Sequence, residues 1–409
     1  MKYELLSTIY YKEENQYEAS YNDRFDSMCA VHLPVQIHGQ TAFHMHLPAF
    51  SAMIENIYRI NQTIEQLWND LPSKAQDRYF TKAMFSEMQN SNTIEGVHSS
   101  RKELQKAFDS INSSKNVRFK GLVRSYKWLY EKQQISLSSS KDLREIYDNT
   151  LLPDIDTSDK PDGAIFRKGG VDVHSVTDKV IHQGITPEAD LIAFMDTAIQ
   201  HVIMSNFSLP GIAAFHYLFG YAHPFYDGNG RTVRFLSSLF LAQNLHKLVG
   251  LNLSATIFSD RNAYYKAFDV CNDKKNRGDI TYFISYFLGA IETSARTMCE
   301  MLQEAIDRFE HFTNLLSQQT HLTDRESDIL HLLIQVSLFS DNGISIGGIG
   351  RHINIKSFQP VRDALTNLIN ADFPITTEKQ GNQILYRLDL DAFEQIMLSN
   401  SQPSCNATE

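Results

Sequence analysis

The chain has 409 residues, enough for two or three domains that each bury a core, and its 42% apolar and 21% charged residues are those of a folded globular protein. Its formal net charge of −10 argues against a general nucleic-acid binder, because backbone phosphates demand a basic surface. Cys29, Cys271, Cys299 and Cys405 are far apart with no CxxC pairing, the N-terminus lacks the apolar core of a signal peptide, and no apolar run reaches membrane-spanning length. The expectation is a cytoplasmic protein with reduced thiols, no structural zinc and no membrane association.

Residues 1 to about 47 show no sustained period and are expected to form an irregular arm. Pro48 opens a helix with Ile54, Ile57, Ile64 and Leu67 on one face. A second helix is expected from about Ala75 to Ser91, with Phe80, Met84 and Met88 in step. Ser100 and Glu103 form a capping box that opens a third. Further helices are expected over 119–135 and 140–150. Between the second and third helices, Ser91-Asn92-Thr93-Ile94-Glu95-Gly96 puts Ser91 and Glu95 one helical turn apart, with Gly96 suited to a left-handed cap. A carboxylate at a helix C-terminus opposes the dipole, so Glu95 calls for a cationic partner.

From Gly163 to Gly184 the helical period gives way to two β-prone pieces, Val171-Asp172-Val173 and Val180-Ile181-His182-Gln183, expected to pair as a hairpin. His174 and His182 lack partners at ligand spacing and are expected to be exposed hairpin residues. Thr186, Pro187 and Glu188 read as N-cap, N1 proline and first-turn acid of a core helix carrying Leu191, Phe194, Met195, Ala198, Ile199 and Val202. Leu209 to Ala222 follows as a second core helix, with His216 expected to be buried and hydrogen-bonded.

Between that helix and the next apolar segment, Phe235 to Leu245, lies His223-Pro224-Phe225-Tyr226-Asp227-Gly228-Asn229-Gly230-Arg231-Thr232-Val233-Arg234. Little of it suits a core, so the polar residues belong on a turn joining two buried helices. Gly228 and Gly230 permit positive φ, and the turn can curl its N–H groups into an anion nest. Arg231 and Arg234 oppose the dipole at the start of the second helix, a conflict that a bound polyphosphate resolves. Asp227 beside phosphates calls for a divalent cation, and Mg²⁺ takes one or two carboxylates plus substrate phosphates, with Mn²⁺ as an alternative. His223 is the candidate general base.

Arg261 to Phe268 begins another helix, and a long helix runs from about Tyr282 to Leu316 with an apolar stripe at Ile291, Met298, Met301 and Ile306. A small C-terminal domain follows. Thr323 and Glu326 cap a helix with Ile329, Leu330, Leu333 and Ile334 inward, a short helix covers 346–352, and another runs from Ser357 to Asn370 with Val361, Leu365, Leu368 and Ile369 inward. Ile375–Thr377 and Ile384–Leu388 then flank a Gly381-Asn382 turn. This is a winged-helix-like order, yet residues 321–399 hold six Lys or Arg against ten Asp or Glu, a balance of −4 that favours protein contact or dimerisation over DNA reading. The tail 399–409 is expected to be loose.

The twelve-residue stretch resembles the signature of the Fic family, HPFxDGNGRxxR, at every fixed position. Ser91-Asn92-Thr93-Ile94-Glu95-Gly96 is similar to that family's inhibitory motif, (S/T)xxxE(G/N). The resemblance implies an all-α Fic-type core with a small β-hairpin flap, followed by the α+β winged-helix-like domain. The division is then a helical region with the inhibitory motif over 1–115, the catalytic core over 116–316, the small domain over 317–398 and the tail. It implies Mg²⁺-dependent transfer of AMP from ATP to a Ser, Thr or Tyr hydroxyl of a target protein, with His223 as base and Asp227 on the metal. Gly228, Asn229 and Gly230 would stabilise the transferred group, and Arg231 and Arg234 would clamp the phosphates. Glu95, with Ser91, would pair with Arg234 and hold the enzyme off, while the hairpin, Val171, Asp172, Val173, Val180, Ile181 and His182, would hold the target by strand addition. Tyr264 and Tyr265 lie in a segment similar to the one that borders the nucleotide base. Removal of AMP, transfer of another nucleotide and a DNA-binding regulator with a nucleotide-sensing core stay open as alternatives, and a homodimer is implied by similarity alone.

Overall fold

A computed structural model describes residues 3–131, 137–174, 180–380 and 383–400, and it is predominantly helical, with β-structure confined to three small antiparallel sheets. In chain order the elements are α1 (Leu6–Lys12), α2 (Glu14–Phe25), β1 (Ala30–Ile37), β2 (Gln40–Met45), α3 (Pro48–Asp70), α4 (Ser73–Ile94), α5 (Arg101–Asp109), α6 (Lys120–Tyr130) and α7 (Ser140–Thr150). Then come β3 (Asp172–His174), β4 (Val180–Gln183), α8 (Glu188–Met204), α9 (Leu209–Ala222), α10 (Asn229–Asn244), α11 (Lys247–Gly250), α12 (Leu253–Ser259), α13 (Arg261–Asn272) and α14 (Thr281–Ser317). The chain continues with α15 (Asp324–Phe339), β5 (Ile344–Ser345), α16 (Ile346–His352), α17 (Phe358–Asn370), β6 (Ile375–Gln380), β7 (Gln383–Leu388) and α18 (Leu390–Asn400).

The chain divides into two compact units, residues 1–63 with 83–298, and residues 64–82 with 299–409. This cuts across the boundaries expected at 115 and 316. The N-terminal region and the core form one unit, and α3, α4 and α14 each contribute residues to both, which a division by sequence blocks does not allow for.

In the first unit, residues 1–47 are not an irregular arm. Leu33, Val35 and Ile37 are buried and alternate with outward residues along β1, and His38 (φ 50°) and Gly39 (φ 76°) make the left-handed two-residue turn that suits a hairpin. Phe43 on β2 exchanges backbone bonds with Gly278 and Ile280, and with Leu6 and Tyr21 it forms a small core. α2 is polar almost all round, so no helical period betrayed it; it is held by its aromatic side, where Arg277 lies 3.6 Å from the Tyr21 ring centroid.

The centre of this unit is α9, apolar on nearly every side and packed against α8 and α10. Ser208 caps it by accepting the Gly211 N–H. His216 is buried as expected, its ring nitrogens 2.8 Å from Ser237 Oγ on α10 and 2.8 Å from the Tyr264 hydroxyl on α13. α8 begins one residue later than expected: Pro187 is its N-cap, and Thr186 is not. The carboxylate of Glu188, now the first helical residue, accepts the N–H groups of Ala164, Ile165 and Phe166 and so holds the segment leading into β3.

In the second unit, the capping box at Thr323 and Glu326 is present, and Ile329, Leu330, Leu333 and Ile334 are buried. β5, β7 and β6 form one sheet in that order, and the Gly381-Asn382 turn lies outside the described residues. Two expected core positions are exposed, Met301 and Ile369, because each lies at the margin of its helix's apolar stripe. Ser399 belongs to α18, which buries Leu390, Phe393 and Met397, so it is not part of a loose tail; the rest of the tail expected over 399–409 lies, after Asn400, outside the described residues.

Candidate functional site

The polar stretch lies where α9 ends and α10 begins. His223 is the C-cap of α9, with φ 52°, the left-handed conformation that commonly ends a helix. The last carbonyls of a helix need outside donors, and here each finds one. The Phe219 carbonyl accepts the His223 N–H at 2.9 Å, and that of Gly220 lies 3.4 Å from His223 Nδ1. The Tyr221 carbonyl is 2.8 Å from His182 Nε2, and that of Ala222 accepts from Ile185 N and Arg167 Nη2. The His223 carbonyl accepts from Arg167 Nε at 2.8 Å. A carbonyl only accepts, so the neutral His223 ring carries its proton on Nδ1 and leaves the Nε2 lone pair for a substrate. Desolvation lowers the His223 pKa to about 4, with Arg167 pushing the same way, so the ring is a neutral acceptor at pH 7.

The hairpin is docked against this helix end. Asp172 pairs with Gln183 and Val173 with His182, the register shifts at His174, and the connecting residues 175–179 lie outside the described residues. Val171 precedes β3, and its carbonyl accepts the Gly184 N–H. The Asp172 carboxylate accepts from the Gln183 amide. His182 is not an exposed hairpin residue. Its ring stacks on Tyr221 at 4.1 Å, and burial lowers its pKa to about 4.

The turn itself is cross-braced. Asn229 donates its amide to the Phe225 carbonyl (2.8 Å) and accepts the Phe225 N–H (3.0 Å), so its side chain braces the turn, in contrast to the expectation that its amide faces a transferred group. Phe225 stacks on Tyr147 at 3.7 Å, and the Tyr147 hydroxyl donates to the Asp227 carbonyl. Of the two glycines only Gly228 has positive φ, 85°, as the N-cap of α10. Gly230 is helical and serves a different need: a Cβ there would collide with the Glu95 carboxylate. No side chain caps this helix start among the described residues, which leaves its first N–H groups as a nest. Asp227 accepts the Gly228 N–H through Oδ1 and pairs with Arg231 at 2.9 Å through Oδ2. Among the described residues the buried Arg231 Nε has no hydrogen-bond partner.

Arg234 is fully buried. Its Nε donates to Ser91 Oγ at 3.0 Å, Nη2 to the Ser91 carbonyl at 2.8 Å, and Nη1 lies 2.9 Å from Glu95 Oε1. Burial pulls the guanidinium pKa down, but Glu95 and then Tyr264 outweigh it, and the net shift is upward. Glu95 is aimed by the way α4 stops. Val97 N–H bonds to the Asn92 carbonyl and Gly96 N–H to that of Thr93, with Gly96 at φ 70°, which is the Schellman arrangement the glycine foretold. The carboxylate therefore opposes its own helix's dipole but faces the positive end of α10.

His223, Asp227, Gly228, Gly230, Arg231, Arg234, Ser91 and Glu95 thus meet around one helix start. Tyr264 does not join them. It is 4% exposed with its hydroxyl committed to His216, so it is a core residue and not a stacking platform. Tyr265 is half-buried and within electrostatic reach of Glu95 and Arg234. Sequence reasoning placed Glu188 only in the first turn of its helix and assigned no site role to Arg167, Glu188 or Glu87. Glu87 is buried two turns before Glu95 on the same face of α4 and accepts from Ser254 N, and desolvation raises its pKa to about 7. The signal for Glu87 was the spacing Glu87, Ser91, Glu95; nothing local distinguished Arg167. Among the described residues no group of three or more His, Cys, Asp and Glu side chains gathers as a metal site, and no helix is long and apolar enough to cross a membrane.

Residues 137–241 match the model of the Fic/DOC family. Among solved structures, the chain is similar to a Fic family protein from Desulfovibrio desulfuricans G20 at 21% identity, covering 84% of this chain and 96% of that one, with a TM-score of 0.49. It is similar to Fic-1 from C. elegans at 17% identity, covering 73% and 82%, with a TM-score of 0.45. A Fic domain-containing signalling protein from Bacteroides thetaiotaomicron matches at 20% identity, covering 61% and 97%, with a TM-score of 0.42.

Proposed function

Residues 137–241 are a Fic/DOC domain, and from that premise we propose that the chain transfers AMP from ATP to a Ser, Thr or Tyr hydroxyl of a protein and restrains itself through Glu95. The observation that carries this reading is the Glu95 carboxylate, held by Arg234 at the start of α10. An anion already occupies the place where helix N–H groups and arginines favour phosphate.

When Glu95 withdraws, the nest at Gly228 to Arg231 and the guanidinium of Arg234 receive the ATP phosphates. His223 Nε2 takes the proton of the incoming hydroxyl, whose oxygen bonds to the α-phosphorus as the bond to the β-phosphate oxygen breaks, and pyrophosphate leaves. Asp227 is the residue to hold Mg²⁺. One half-exposed carboxylate beside phosphates suits an ion that takes most of its ligands from substrate and water, and the ion would neutralise phosphate charge. The antiparallel hairpin offers a strand edge to a target segment, and the carbonyl contacts of Arg167 and His182 keep that edge next to His223. The net acidity of residues 321–399 supports a protein-contact role for the winged-helix-like C-terminal region.

The test is to incubate wild type, Glu95→Gly and His223→Ala with labelled ATP, UTP and GTP plus Mg²⁺ and follow protein-bound label. AMP label is expected to rise in Glu95→Gly and vanish in His223→Ala. Absence of label from every nucleotide in Glu95→Gly would overturn the reading.

A further inference from the structure

Arg167 is fully buried yet forms no ion pair with a carboxylate among the described residues; its charge is held by backbone carbonyls alone. Nε donates to the His223 carbonyl at 2.8 Å, Nη1 to Gly169 at 2.5 Å, and Nη2 to Ile185 at 3.1 Å and Ala222 at 3.2 Å. Its own N–H bonds to the Pro224 carbonyl at 3.3 Å. Two of these carbonyls, Ala222 and His223, belong to the C-terminal end of α9, where the dipole is negative and a cation is favoured. The other two, Gly169 and Ile185, lie just outside the two strands of the hairpin. Gly184 leaves room for the fork, because a Cβ there would collide with Nη2. Burying a charge is costly, and a planar guanidinium that satisfies four carbonyls at once recovers that cost through geometry that no other side chain reproduces.

We propose that Arg167 is a positioning residue that ties both ends of the hairpin to the His223 turn, so that the base and the target-binding edge are held as one piece. The inference rests on the transfer reading for its rate prediction but not for its structural one. His223 is faced by four charged or titratable groups: Arg167 before β3, His182 on β4, Asp227 in the turn, and Glu95 at the end of α4. Arg167 is the cation nearest in effect, and its charge opposes protonation of His223. Arg167 therefore acts on the base in two separable ways, by its fork and by its charge.

The experiment uses the full chain carrying Glu95→Gln, with Arg167→Lys, Arg167→Met or Gly184→Ala added. Two readouts are taken: AMP transfer with ATP affinity, and the pH titration of the His223 ring followed by NMR. Arg167→Met is expected to lose about 100-fold in transfer rate with ATP affinity within threefold, the size of loss that slight misplacement of a catalytic group causes. Its His223 ring is expected to titrate at higher pH. Arg167→Lys keeps the charge, so its titration stays low while its rate falls, since an ammonium cannot reach four carbonyls. Gly184→Ala displaces the fork without removing the charge and is expected to follow Arg167→Lys, which keeps the test open if Arg167→Met fails to fold. Wild-type transfer in both Arg167→Lys and Gly184→Ala, or an unchanged His223 titration in a folded Arg167→Met, overturns the proposal. If no variant transfers AMP, the transfer reading fails, and the NMR titration still decides the role of Arg167.

Discussion

Replacing Glu95 by Gln keeps the side chain's size and removes its charge, so it isolates the electrostatic hold on Arg234. The two groups are 2.9 Å apart, with the Arg234 side chain 0% and the Glu95 side chain 27% exposed. At an effective dielectric near 20, unit charges about 4 Å apart attract by about 4 kcal/mol. Desolvation and the open side of Glu95 reduce this to the net worth of a charge-assisted hydrogen bond, about 1.5–3 kcal/mol. A nucleotide that must displace Glu95 works against that amount, and at about 1.4 kcal/mol per tenfold the variant is expected to bind ATP about 10- to 150-fold more tightly. The same variant without nucleotide is expected to be less stable, because Arg234 stays buried and loses its ion pair while keeping its hydrogen bonds to Ser91, and added ATP should restore its melting temperature. Isothermal titration with ATP and Mg²⁺, followed by thermal unfolding with and without nucleotide, measures both. ATP affinity within twofold of wild type would refute the idea that Glu95 occupies the phosphate position.

Three further outcomes follow from the geometry. His223→Ala should lower AMP transfer by about 10²- to 10⁴-fold in a Glu95→Gln background while ATP affinity changes little, as measured by label incorporation beside titration. Asp227→Asn, or chelation of divalent ions by EDTA in the parent chain, should each remove transfer by about 100-fold or more, and activity that survives EDTA would exclude a metal-assisted step. Glu87 supplies a pH test. Its folded pKa of about 7 lies above the usual 4.5, so its contribution is complete below about pH 4.5 and is lost as pH rises through 7. Glu87→Gln should therefore be more stable than wild type at pH 8, by on the order of 3 kcal/mol at most, with the difference gone near pH 4.5 in chemical denaturation. On the acid side the sign reverses: His44, lowered to about 4, and His216, lowered well below its ordinary value by burial, lose their contribution as pH falls below 6.5.

The sequence by itself settled whatever depends on local spacing. The polar stretch between two apolar helices, the Gly96 cap, the capping boxes at Ser100 and Thr323 and the apolar stripe of α8 are written in neighbouring residues, because helix periods and cap geometries are local rules. β1 was also written there, in the alternation of Leu33, Val35 and Ile37 before His38-Gly39, but Pro34 and the polar residues around it obscured the pattern. α2 left no trace, since a helix polar on nearly all sides is stabilised by contacts such as Arg277 on Tyr21 and not by its own periodicity. Tertiary structure alone decided what each polar side chain in the site touches. It turned Asn229 inward to brace the turn and put Tyr264 in the core. It gave Gly230 a steric duty toward a carboxylate 135 positions earlier, and made Arg167 the cap of a helix 55 residues away. Those assignments depend on which buried donors and acceptors meet across the fold, and a buried polar group must find its partner wherever the chain brings one.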